Sequence, residues 1–171
     1  MDLHSFKLFI GGESLKIEYE YTFGLPRNLV WKYLMDEKVL RNALPGCKSF
    51  VERSKGVYEA DLDINIGPLQ DAITLEIRLN DQKPPSSFRM NVKGKGNVGE
   101  VVGTANIRLQ ERGSDSLVTC KAEAKVSGAL AVAGQRLLES GATKGLNSFF
   151  QTVEKEIKRT IYQVKKGGRR Q

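Results

Sequence analysis

Tyr58-Glu59-Ala60-Asp61-Leu62-Asp63-Ile64-Asn65-Ile66 is the stretch on which the fold turns. Apolar and polar side chains alternate along it without interruption, the period-2 signature of a strand with one buried and one wet face. The alternation recurs upstream in Leu15, Ile17, Tyr19, Tyr21 and Phe23 and downstream within residues 69–79, 88–92, 101–109 and 118–126. With a shorter strand at about 47–53, the expected total is about seven. Sheets wet on one face are characteristically antiparallel, because parallel sheets bury both. The breaks carry turn chemistry: Lys55-Gly56, Gly67-Pro68, Asp81-Gln82-Lys83-Pro84-Pro85, Gly96-Asn97 and Gly113-Ser114-Asp115. Links this short join antiparallel neighbours, so the strands form a meander.

The remaining periodicity is helical. Pro26 suits a first turn, and Leu29, Val30, Tyr33 and Leu34 share one face. Asp36 is placed to cap a second short helix that contains Val39, Leu40 and Ala43 and stops before Leu44-Pro45-Gly46. A long third helix is expected over about 129–164, on the stripe Leu130, Leu137, Phe149, Val153, Ile157, Ile161 and Val164. At 1.5 Å per residue it would span ~54 Å, against ~37 Å for an eleven-residue strand, and so should overhang its sheet. Gly134, Gly141 and Gly145 fall inside this stretch, each unfavourable by ~1 kcal/mol relative to alanine. Two explanations stand: close helix-to-sheet contact, or room left for a ligand.

The chain has 171 residues, 40% hydrophobic and 27% charged, which fits one globular domain. No apolar run approaches the ~20 residues of a membrane-spanning helix. No basic-then-apolar leader is evident at Met1-Asp2-Leu3-His4. Cys47 and Cys120 make no disulfide framework and are expected as buried thiols of a reducing cytosol. The single histidine, His4, excludes histidine-based triads and the usual histidine-rich metal sites. No cofactor or metal is implied. The formal charge of +7 is concentrated at the C-terminus, where seven basic residues from Lys155 onward face Glu156 as the single acid. A basic end on a nearly neutral body points to local docking on anionic lipid or an acidic partner, or to a solvated terminus. Nucleic acid is the least favoured partner, since the wet strand faces carry no aromatic platform.

Several of these stretches together resemble the CoxG family of carbon monoxide dehydrogenase subunits. They are residues 26–36, Val39-Leu40, Leu44-Pro45-Gly46-Cys47, Ile66-Gly67-Pro68, Gly94-Lys95-Gly96, Gly103, Ser127-Gly128 and the run from Gly134 to Phe149-Phe150. The likeness is collinear over about 14–160 and is similar in turn to the START-like, polyketide cyclase-like (SRPBCC) superfamily. The resemblance implies an α+β helix-grip fold, a curved seven-stranded antiparallel sheet around a long C-terminal helix. It also implies an apolar ligand held between sheet and helix, with quinone or lipid-like molecules as cargo, and membrane association of a molybdenum-containing dehydrogenase. Residues 1–13 look like an addition to the family pattern, with Phe6, Phe9 and Ile10 either in a hairpin at Gly11-Gly12 or as an apolar anchor. The expected division is an extension at 1–13, a helix-grip domain at 14–164 and a basic tail at 165–171.

Inward parity nominates an apolar pocket: Trp31, Leu34, Leu44, Leu62, Ile64, Leu75, Ile77, Phe88, Met90, Ile107 and Leu138, with Gly134 and Gly141 leaving space. In the alternative, the same side chains meet in a filled core. Asp71 falls on the inward parity of an apolar strand and, with Tyr58, is the candidate polar contact. A cyclase-like enzyme would require such groups to converge, and no base has a visible partner. Gly94-Lys95-Gly96-Asn97-Val98-Gly99 lies between strands rather than before a helix, so it is not a phosphate loop. Lys165, Lys166, Arg169 and Arg170 are the candidates for contact with a membrane or a protein partner. The reading is a hydrophobic-ligand carrier or accessory factor at the cytoplasmic membrane face. A docking adaptor without cargo is the remaining class.

Overall fold

The computed structural model describes residues 13–169, with side chains from 14 to 164. Residues 1–12 of the expected extension at 1–13, Arg170 and Gln171, and the side chains of residues 165–169, including Lys165, Lys166 and Arg169, lie outside the described residues.

Seven strands form one sheet: β1 (Glu13–Phe23), β2 (Cys47–Ser54), β3 (Val57–Ile66), β4 (Leu69–Lys83), β5 (Ser87–Gly96), β6 (Gly99–Arg112) and β7 (Asp115–Val126). Their order is β1-β7-β6-β5-β4-β3-β2, with every pair antiparallel. The meander read from the turns is thus β2 through β7, and β1 returns to pair with β7 along its whole length, Glu13 opposite Val126 and Phe23 opposite Ser116. Alternation does what the sequence requires of it. In β6, Ala105, Ile107 and Leu109 are buried while Thr104, Asn106 and Arg108 are exposed.

Between the edge strands come α1 (Arg27–Leu34) and α2 (Glu37–Ala43). Asp36 caps α2, its carboxylate accepting from the amides of Lys38 and Val39, which occupies donors the first turn would leave unpaired. The C-terminal helical region departs from the expected single rod. A five-residue helix, α3 (Ala129–Ala133), ends at Gly134, and α4 runs from Gln135 to Arg169. Gly134 has φ +93°, a conformation open to glycine and unfavourable to other residues. It therefore breaks the rod rather than sitting inside it. Val164, assigned above to the buried stripe, is 70% exposed. Among the described residues Ile161 is the last packed against the core, and Tyr162, Gln163 and Val164 beyond it are exposed.

The apolar interior falls into three clusters. The largest joins β1, α1, α2, β6, β7 and the second half of α4 through Phe23, Val30, Val39, Leu109, Val118, Phe150, Val153 and Ile157. A second gathers Phe50, Tyr58, Ala60 and Ile77, and a third joins Leu15, Val98, Val126, Leu130 and Leu138. A small domain ordinarily has one contiguous core with minor satellites. Here the inward-facing Leu62, Leu75, Met90 and Val92 pack only half-buried against the second cluster, and Ile64 against the third.

Candidate functional site: a cleft under the first half of the long helix

Between residues 137–148 of α4 and residues 62–67 of β3 and its turn lies a cleft of about 480 Å³, flanked by Pro45. Its existence follows from the register. The pairing of β2 with β3 ends with Cys47 opposite Leu62, so the rest of β3 is a free sheet edge. The Leu44-Pro45-Gly46 turn is tethered there by the Asp63 amide, which donates to the Gly46 carbonyl at 2.9 Å. Opposite this edge α4 presents Ser140, Gly141, Lys144, Gly145 and Ser148. At Gly141 helix and strand nearly touch, since a Cβ there would lie 3.0 Å from Ile66 Cγ2. One turn on, a Cβ at Gly145 would meet nothing within 4 Å. The helix therefore stands off the sheet with no side chain filling the gap.

The walls divide by chemistry. Pro45, Leu62, Ile64, Ile66 and Leu137 make an apolar lining, and Asp63, Asn65, Ser140, Lys144 and Ser148 contribute the polar groups. The volume falls within the ~300–1,000 Å³ typical of small-molecule sites, which are mostly apolar with a few placed polar groups.

The other half of α4 is sealed. Phe150 stacks on Tyr19 and Tyr21, with ring centroids at 5.8 and 5.7 Å, and meets Phe23 and Phe149 edge-on. The Tyr21 hydroxyl donates to Glu154 Oε1 at 2.7 Å, and the Gly24 amide donates to Glu154 Oε2 at 2.9 Å. Burial and the neighbouring carboxylate push the Tyr21 hydroxyl well above the ordinary tyrosine range.

The residues nominated by parity are dispersed. Leu62, Ile64 and Gly141 line the cleft. Leu34, Ile77, Ile107 and Leu138 are buried within the three clusters. Trp31 meets the edge of Phe88 at 5.6 Å, and Met90 touches both the first and the second cluster. Leu44 and Leu75 pack half-buried against the second cluster, and Gly134 is the helix break. Asp71 is half-buried opposite Ile64, with its carboxylate accepting from the Ala72 amide. Tyr58 is buried against Phe50, and burial together with Glu52 pushes its hydroxyl up to about 12. In the β3–β4 register Tyr58 faces Ile77 and Asp71 faces Ile64, so the two polar candidates stand ~20 Å apart along the strands. They do not converge. Burial likewise raises both thiols, Cys47 and Cys120.

Pro45, Ile66, Leu137, Ser140, Lys144, Gly145 and Ser148 complete the cleft and were not among the nominated site residues. The signal for them lies in α4 itself: its residues 140, 141, 144, 145 and 148 include no large apolar side chain. A second hollow, of about 500 Å³, lies across β3–β6 and is lined by Glu59, Glu76, Lys93, Lys95 and Glu100. These side chains take the outward parity, so that hollow belongs to the face of the sheet turned away from α4.

A bent antiparallel sheet gripping a long helix, with a cleft where the two part, defines a helix-grip protein. The family model for CoxG, a subunit of carbon monoxide dehydrogenase, matches residues 21–158, and the chain belongs to that family. A conserved protein from Geobacillus kaustophilus is 29% identical with a TM-score of 0.82, the match covering 85% of this chain and 96% of that one. The Zhui aromatase/cyclase from Streptomyces sp. R1128 shares the fold, at 15% identity and a TM-score of 0.63 over 87% of this chain and 96% of its own. No protein of curated function matches in sequence.

Proposed function

We propose that the protein binds a hydrophobic, lipid- or quinone-like small molecule between α4 and the sheet. In this reading it serves as a membrane-associated carrier or accessory factor for a molybdenum-containing dehydrogenase of the carbon monoxide dehydrogenase type. The observation that carries the reading is the cleft of about 480 Å³ walled by Leu62, Ile64, Ile66 and Leu137. On the same inward parity of β4 and β5, Leu75, Met90 and Val92 are half-buried against the second cluster. Each 100 Å² of ligand surface taken from water in the cleft contributes ~2.5 kcal/mol. Membership of the CoxG family supplies the dehydrogenase connection.

The mechanism is shielding. An apolar cargo leaves the bilayer for the cleft while the tail at 165–171, with Lys165, Lys166, Arg169 and Arg170, holds the domain at anionic headgroups on the cytoplasmic face. Each such residue adds ~1 kcal/mol near a charged surface, so attachment is reversible and salt-dependent. No described helix is long and apolar enough to cross a membrane.

Native mass spectrometry after mild purification tests the cargo, and the expected result is a lipophilic adduct that organic solvent removes. Co-sedimentation with phosphatidylglycerol vesicles tests the tail: binding should fall sharply on deletion of residues 165–171. A chain that neither carries nor takes up lipophilic molecules contradicts the carrier reading. A second reading, docking to a protein partner, is favoured by Tyr162 and Val164, 65% and 70% exposed where α4 leaves the body.

A further inference from the structure

Resting on the proposal that the cleft holds a hydrophobic molecule, we infer that its ligand is an amphiphile, a hydrocarbon chain ending in an anionic head that sits on Lys144. The polar groups of the cleft are not scattered. Ser140, Lys144 and Ser148 succeed one another at single-turn spacing on α4, which stacks them on one helix face. All three are exposed, as is Asn65 on the free edge of β3 across the cleft. The apolar groups, Leu62, Ile64 and Ile66, take the inward parity of β3. The site thus has a greasy floor and a polar lip.

The lip is built to donate. Among the described residues the side chains of Lys144, Ser140, Ser148 and Asn65 make no ion pair or hydrogen bond. The carboxylates that could neutralise the lysine are engaged elsewhere. Asp63 pairs with Lys48 at 3.2 Å. Glu139, on the same helix, accepts from the Gln135 side chain at 2.9 Å and from the Lys16 amide. One ammonium, two hydroxyls and an amide remain to face an incoming head. An ammonium offers donors and no acceptor, and a charge-assisted bond to an oxyanion is about twice as strong as a neutral one. The bare backbone at Gly145, where an added Cβ would meet nothing within 4 Å, leaves room for a chain to run from this lip toward the apolar floor. A neutral hydrocarbon would use the floor alone and leave the exposed lip to water.

The test is competition against N-phenyl-1-naphthylamine, a neutral fluorescent apolar probe, using palmitate and hexadecanol, which share a chain and differ in head charge. Palmitate should displace the probe at a concentration about 2- to 5-fold lower than hexadecanol at low salt, with the ratio shrinking as salt is raised. Lys144→Ala should bring the ratio close to one, and Lys144→Arg, which keeps the charge, should preserve it. Phosphatidylglycerol in place of palmitate separates a membrane lipid from a free fatty acid as the source of the anionic head. Equal displacement by the two chains in the wild-type protein, or an unchanged ratio in Lys144→Ala, overturns the inference while leaving the cleft as an apolar site. Failure of the protein to bind the probe or either chain overturns the binding proposal, and this inference with it.

Discussion

The two halves of α4 meet the same sheet and do opposite things. From Phe149 to Ile157 the helix is welded to β1 and the α1–α2 region, with Val153 and Ile157 fully buried and Phe150 wedged among aromatic rings. From Leu137 to Ser148 it lines the cleft beside β3 with that leucine and otherwise with glycine, serine and one lysine. Backbone geometry is helical in both halves. What differs is side-chain volume on the sheet-facing side. Filling that face stabilises each buried aromatic or branched residue by ~1.5–3 kcal/mol, and leaving it bare forgoes that gain in exchange for space. The sheet-facing side of the second half is thus filled, whereas the first half is anchored through Leu138 and leaves its cleft-facing side open. Substitutions should separate stability from binding.

The largest effect is expected in the sealed half. Phe150→Ala removes a ring at 4% exposure from contact with four other aromatic rings, and urea denaturation should register a loss of ~3–5 kcal/mol. Tyr21→Phe deletes the hydroxyl that ties β1 to Glu154 and should cost ~1 kcal/mol in the same assay. That link also sets an alkaline limit. Burial and Glu154 raise the Tyr21 pKa, so its proton is held more tightly in the folded state than in the unfolded. The contribution is complete below an ordinary tyrosine pKa of ~10 and is lost as pH rises above it. Denaturation at pH 9 and 10.5 should show this decline, and Tyr21→Phe should lessen it. In the open half the sign reverses. Gly145→Ala places a methyl group where nothing lies within 4 Å, and replacing a helical glycine there should raise stability by ~0.8–1 kcal/mol. A loss would mean that α4 lies closer to β3 than the cleft implies.

The strands were legible because parity is local. Leu62 and Asp63 declare opposite faces within one dipeptide, and Gly67-Pro68 declares the turn that follows. The pairing of β1 with β7 was not legible, because the partners lie about a hundred residues apart and both alternate in the same way. The break at Gly134 was missed since Leu130 and Leu137 keep helical spacing across it, and a φ of +93° leaves no mark on periodicity. The cleft was legible in part. Inward parity set Leu62 and Ile107 on one side of the sheet, yet one lines a void and the other is packed at 6% exposure. That distinction depends on how far the helix stands from the strand, which alternation does not encode. Lys144 escaped notice for the opposite reason. A polar residue on a helix reads as solvent-facing, and the free edge of β3 that makes it the lip of a site appears only once β2 is seen to stop pairing at Cys47.

Gly145→Leu tests the separation of stability from binding most directly, by filling the cleft from the helix side. Titration with N-phenyl-1-naphthylamine should show binding to the wild-type protein and a loss of at least about 10-fold in the variant, equivalent to ~1.4 kcal/mol, while the urea midpoint holds or rises. Undiminished probe affinity in a folded Gly145→Leu protein would contradict the account, because the bound molecule would then lie somewhere other than beneath the first half of α4.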